Sequence, residues 1–181
     1  MSMIVERVVV GVDGSEGSLA ALELAAEEAA RHHAQLCPVL AWDVPGGEAM
    51  PSSQPVPFPT FEDTVRQCEQ RAERRMAKAC EAVLASLPAD VEVRPSVLRA
   101  QPGPALVALA RHDTDMLVVG VGHRSLGERL RHRSTRRYCL KHAECPVMVV
   151  TDEPSTTGRD DGPTCGPAAA ADRDLPTTGP R

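Results

Sequence analysis

Two stretches of the chain carry residues able to handle a charged small molecule. The first is Gly11-Val12-Asp13-Gly14-Ser15-Glu16-Gly17, three glycines around a carboxylate and a hydroxyl. Glycine lets the backbone approach a ligand closely, and a helix opening there points free N–H groups at an anion. Asp13 and Ser15 are candidate ligand contacts, and either could instead only cap the helix that follows. The second stretch runs from Gly120 to Ser134. Residues 121–143 hold seven Arg and Lys against Glu128 alone, a net +6 in a chain of net −5. Arg124, Arg133 and Arg136 suit phosphate, which arginine meets through paired hydrogen bonds. A solvated surface or a dock for an acidic partner explains the same run.

Other chemistries are poorly represented. Gly120, Gly122 and Ser125 imitate a dinucleotide fingerprint, but they stand far from the first strand, where that fingerprint belongs. There is no GxxxxGK[ST] phosphate loop and no GxSxG nucleophile signature. Cys139, His142 and Cys145 are spaced by three, which draws at best a three-ligand metal site; packing at a helix end accounts for them as well. The expectation is a binding protein, not an enzyme, with no metal.

The elements that must position these residues follow from periodicity. Ile4 to Val12 is almost continuously apolar, as in a strand buried on both faces. Leu19, Leu22, Ala26 and Ala29 then form a helical stripe. Leu36 to Trp42 reads as a second strand that Pro38 weakens. Residues 43–60, with five prolines, read as a long loop, either a lid or a disordered segment. Thr60 and Asp63 cap a helix whose stripe runs from Phe61 to Leu87. Val91 to Arg94 alternates as a half-exposed strand, and Pro95 puts it at an edge. A helix over Pro104–His112, a buried strand Met116–Val119, a helix from about Ser134 to His142 and a strand Val147–Val150 complete the pattern. Alternation of this kind predicts an α/β fold with a parallel sheet and helices on both faces. Ligands of such folds sit beyond the carboxyl ends of the strands, which brings Gly11–Gly17 and Gly120–Ser134 side by side.

Composition sets the remaining bounds. At 181 residues one domain is expected, spanning 1–151. Residues 152–181, rich in Pro, Gly and Ala with a net acidic charge, read as a disordered tail. The net charge and the presence of only four aromatic residues argue against nucleic acid as a partner. No apolar run approaches the ~20 residues a membrane helix needs, and no signal-peptide pattern opens the chain, so a cytoplasmic protein with free thiols and no membrane contact is expected.

Three stretches resemble the universal stress protein family: VVVGVDGSEGSLAALELAAEEAARHHAQL, LRAQPGPALVALARHDTDMLVVG and STRRYCLKHAECPVMVV. The resemblance runs from about residue 5 to 151. It implies a five-stranded parallel sheet in the order 3-2-1-4-5, a homodimer formed through the last strand and, in many members, ATP at the switch point. It places Asp13 and Ser15 at the nucleotide and Ala41 against adenine. The ATP-binding branch carries Gly, two residues, Gly, nine residues, Gly, then Ser or Thr. Laid on this chain, the first glycine is Gly120, the second and third fall on His123 and Arg133, and Ser134 supplies the hydroxyl, with Thr135 beside it. Gly122 offers the loop another register, and Arg133 another source of phosphate contact. The expectation is a stress-response regulatory protein that binds ATP or a related adenine nucleotide. The alternative is a ligand-free module that docks an unknown protein partner through 121–143.

Overall fold

A computed structural model describes residues 4–44, 60–85, 87–88, 91–121 and 135–151. The loop expected over 43–60, most of the basic run and the tail therefore fall largely or wholly outside the described residues. In chain order the elements are β1 (Arg7–Gly11), α1 (Glu16–His32), β2 (Gln35–Trp42), α2 (Phe61–Leu84), β3 (Ser96–Arg99), α3 (Pro102–Leu109) and β4 (Asp115–Gly120). Residues 135–142 form a helix, α4, and β5 (Val147–Val150) closes the sequence. The five strands make one parallel sheet in the order β3-β2-β1-β4-β5, as expected.

Strand alternation sorts the core into two layers. Val8 and Val10 of β1, with Met116 and Val118 of β4, face α1 and α2. Val9, Leu117 and Val119 point the other way, onto α3 and α4 through Leu106 and Cys139. The central strands are thus buried on both faces, which explains their unbroken runs of apolar residues. α1 opens on Ser15, whose Oγ accepts from the Ser18 N–H, and closes on His33 in the left-handed region (φ 53°). The Ala34 N–H there returns to the Ala29 carbonyl at 2.8 Å, satisfying an end group of the helix. α2 starts in a full capping box: Asp63 N–H donates to Thr60 Oγ1, and Thr60 N–H donates to the Asp63 carboxylate.

The third strand differs from expectation. Val91–Arg94 is not a strand; Val93 makes only an isolated bridge with Leu36, and the strand proper is Ser96–Arg99. Two prolines explain the shift. Leu36 bonds on both sides of Val93, accepting from Arg94 N–H and donating to the Glu92 carbonyl. The register resumes at Val39↔Ser96, which sets Pro38 opposite Pro95 in between. Pro38 has no N–H to give, so the ladder breaks there and restarts beyond it. The edge position expected from Pro95 holds, and Pro38 is accommodated inside β2 because its missing donor falls in this gap. α3 also starts earlier than expected, at Pro102, and stops at Leu109 before His112; proline fits the first helical turn, where its N–H is not required.

At the amino ends of the strands Arg7 and Asp115 lie opposite each other. Arg7 donates to both Asp115 carboxylate oxygens, at 2.8 and 2.6 Å, and the His112 N–H adds a third bond at 2.9 Å. This pair ties β1 to β4 at the end of the sheet away from the glycine turn.

Candidate functional site

The turn after β1 is built around one buried hydroxyl. Ser18 Oγ accepts from the Gly14 N–H at 3.1 Å and the Asp13 N–H at 3.3 Å, and it donates to the Ser15 carbonyl at 2.9 Å. Asp13 Oδ1 accepts from the Ser15 N–H at 2.8 Å. Ser15 therefore caps α1, and Asp13 shapes the turn. Gly14 has φ +81°, a conformation that side chains disfavour, and a Cβ there would lie 2.8 Å from Cδ of Arg75. The bare glycine lets the Arg75 stem cross the turn.

Gly120 ends β4 on the opposite wall. A Cβ on it would stand 2.0 Å from the Gly17 carbonyl oxygen and 2.5 Å from its carbon. The one glycine shared with the nucleotide signature is thus required by the packing of β4 against the first turn of α1, whatever it binds.

Between these walls, at the carboxyl ends of β1, β2 and β4, lies a cleft of about 310 Å³, within the size range of small-molecule sites. Asp13, Ser15, Ala41, Gly120 and Thr135 all line it. Gly122, Arg133 and Ser134, with His123, lie outside the described residues. Val39, Ala41, Leu106 and Val119 give the cleft an apolar wall. Among the described residues Asp13 and Asp43 are its carboxylates, and Asp43 is already engaged by the Val44 N–H at 2.8 Å and, more loosely, by Arg99 at 3.8 Å.

Sequence reasoning missed part of the lining. Arg71 and Arg75 reach the cleft from α2, and Arg136 from α4. Arg136 had been singled out within the basic run; the α2 pair had not, although its spacing of four is plain in the sequence. Ser18 was missed because nothing in the local pattern separates it from any other serine in a first helical turn.

Elsewhere the titratable groups are structural. Burial pushes the Cys139 thiol up to about 11 and raises Cys145 and Cys80 as well, so these thiols stay protonated at neutral pH. Tyr138 and His142 stack with ring centroids 4.4 Å apart. Among the described residues no group of three or more His, Cys, Asp or Glu side chains could hold a metal ion, and no helix is long and apolar enough to cross a membrane.

The family model described as "Universal stress protein family" matches residues 5–151. No curated protein matches the sequence. Among solved structures, universal stress protein UspA from Lactobacillus plantarum is 22% identical, with a TM-score of 0.63 over 83% of this chain and 99% of its own. A universal stress family protein from Burkholderia pseudomallei is 22% identical, with a TM-score of 0.59 over 83% and 98%. A universal stress protein from Archaeoglobus fulgidus is 23% identical, with a TM-score of 0.56 over 81% and 99%. These likenesses agree with the sheet order and helical layers described above.

Proposed function

The chain belongs to the universal stress protein family, and from that premise we propose that it is a non-catalytic regulatory protein of the stress response whose cleft binds ATP or a related adenine nucleotide. One observation carries this reading. A carboxylate, an apolar wall and a helix-borne hydroxyl, from three separate parts of the chain, converge on a single cleft at the strand ends: Asp13, Ala41 and Thr135. A purine needs a narrow apolar slot, a ribose needs an acceptor for its hydroxyls, and phosphates need donors. Ala41 is small enough to leave the slot open, and Asp13 presents its carboxylate beside it. The second part of the proposal is a homodimer through β5, whose outer edge ends the sheet and whose four residues are all half-buried.

Asp13→Ala tests the site. It removes the ribose acceptor and should weaken ATP and adenosine alike, by about tenfold, the value of a hydrogen bond to a charged group. Calorimetric titration against the parent protein reads the effect, with circular dichroism to confirm that α1 is retained. Unchanged adenosine affinity in a folded variant would contradict the placement of the ribose.

A further inference from the structure

We infer that Arg71 and Arg75 of α2, with Arg136 of α4 lining the same cleft, form a clamp for a polyanion, and that the phosphate chain of a nucleoside di- or triphosphate is its ligand. The inference deepens the nucleotide reading and rests on the same cleft being the binding site.

The acids of α2 leave this pair unneutralised. Exposed helical arginines usually find an acid three or four residues away. Arg66 does, with Glu62, Asp63 and Glu69 at those spacings. Arg71 has Gln67, Cys68, Arg74 and Arg75 there; Arg75 has Arg71, Ala72, Lys78 and Ala79. The two arginines are therefore each other's neighbours, one turn apart, with no acid in reach along their own helix. Among the described residues neither has an ion-pair partner from any other element. Like charges at this spacing oppose helix formation unless something anionic sits between them.

The cleft faces this pair without neutralising it. Among the described residues three arginines line it against two carboxylates, and Asp43 already lies near Arg99. The Arg75 stem passes over the Gly14 turn. That crossing directs one guanidinium by packing, so less side-chain freedom is lost when an anion arrives. Guanidinium groups one turn apart span adjacent phosphates and bond each in a forked, charge-assisted way. A nucleoside or a single phosphate engages only part of this arrangement, so the clamp discriminates by phosphate number. It also supplies by side chains the donors that the family's glycine signature supplies by backbone, where this chain has His123 and Arg133.

The test uses sodium tripolyphosphate, adenosine and ATP, each titrated calorimetrically at low and physiological salt. Two double variants are compared with the parent: R71Q/R75Q, and R74Q/K78Q, which removes the same charge from exposed α2 positions that do not line the cleft. Glutamine keeps the helix propensity of both sites. R71Q/R75Q should weaken tripolyphosphate and ATP by at least about tenfold and leave adenosine unchanged. R74Q/K78Q should change neither by more than about threefold, the scale of screened surface attraction. Equal losses in the two variants, no loss in R71Q/R75Q, or no tripolyphosphate binding to the parent protein each overturn the clamp. Adenosine binding without tripolyphosphate binding removes the clamp and leaves the adenine reading. Tripolyphosphate binding as tight as ATP, and lost in R71Q/R75Q, removes the adenine reading and leaves the clamp.

Discussion

Gly120→Ala should be among the most damaging single-methyl changes available to this fold. The new carbon would sit 2.0 Å from the Gly17 carbonyl oxygen and 3.0 Å from the Ser18 nitrogen. Both belong to the backbone of α1, so no side-chain rotation relieves the clash. Either β4 or the first turn of α1 must move, and both are tied. β4 pairs with β1 and β5, while Ser18 holds the Asp13–Ser15 turn through its hydroxyl. Overpacking of a core costs about 1–3 kcal/mol where side chains can yield, and more where they cannot. A loss of at least about 3 kcal/mol is expected, which lowers the urea midpoint by about 1–2 M for a protein of this size. Gly103→Ala is the control: its Cβ meets Tyr138 Cβ and Cγ at 3.0 Å, a contact that a shift of a few tenths of an ångström in α4 relieves. Gly103→Ala should cost clearly less. Equal midpoints for Gly120→Ala and the parent protein would show that the contact does not exist in solution.

Arg7→Leu should cost about 3 kcal/mol at neutral pH, because it leaves a buried carboxylate without its counter-charge. The Asp115 side chain is fully buried, whereas that of Arg7 is 33% exposed, so the loss falls mainly on the acid. The pH dependence separates this cause from lost packing. In the parent protein burial pushes the Asp115 carboxyl up, but the Arg7 guanidinium and the His112 N–H outweigh it and hold the group below the ordinary range. Its contribution to stability is therefore complete above the unfolded pKa of about 3.9 and is lost as pH falls through the lower folded value. Without Arg7 only burial and one N–H remain, and the folded pKa rises above that of the unfolded chain. The penalty in the variant is then present at neutral pH and relieved as pH drops toward about 4. Denaturant titrations of both proteins between pH 7 and 4 should converge. Parallel curves would mean that Asp115 carries no uncompensated charge in the variant.

The parts of the fold written in local runs were legible before the structure. Val8–Val10 and Met116–Val119 are apolar at every position because both faces are covered, and that pattern alone implies central parallel strands. Thr60 and Asp63 mark a helix start by type and spacing, and they form the full capping box. What escaped reading depends on partners distant in sequence. Val91 and Val93 alternate as a strand should, but the ladder is decided by Pro38 meeting Pro95 across two neighbouring segments of the sheet. Gly120 resembled a ligand-contacting glycine because its neighbour Gly17 stands a hundred residues away and no local pattern joins them. The α2 arginines were visible as a helical pair, yet only the packing of α2 against β2 turns them toward the strand ends.

The same division holds at the site. Asp13 and Ser15 stood out because glycines surround them, and both line the cleft. Ala41 entered through family resemblance alone, since one small residue in a strand carries no signal of its own; it too lines the cleft. The family's glycine spacing drew attention to 123 and 133, whereas among the described residues the cationic groups lining the cleft are Arg71, Arg75 and Arg136. A motif built on backbone contacts says nothing about donors brought by another helix.

We propose the cleft at the ends of β1, β2 and β4 as a nucleotide site. Titration of ATP into the parent protein, freed of any copurifying nucleotide by unfolding and refolding, tests it most directly. Saturable, one-to-one binding with a micromolar Kd that weakens as salt is raised is expected, because much of the attraction is between arginine and phosphate. Absence of binding at both low and physiological salt, from protein shown to be folded, would contradict it.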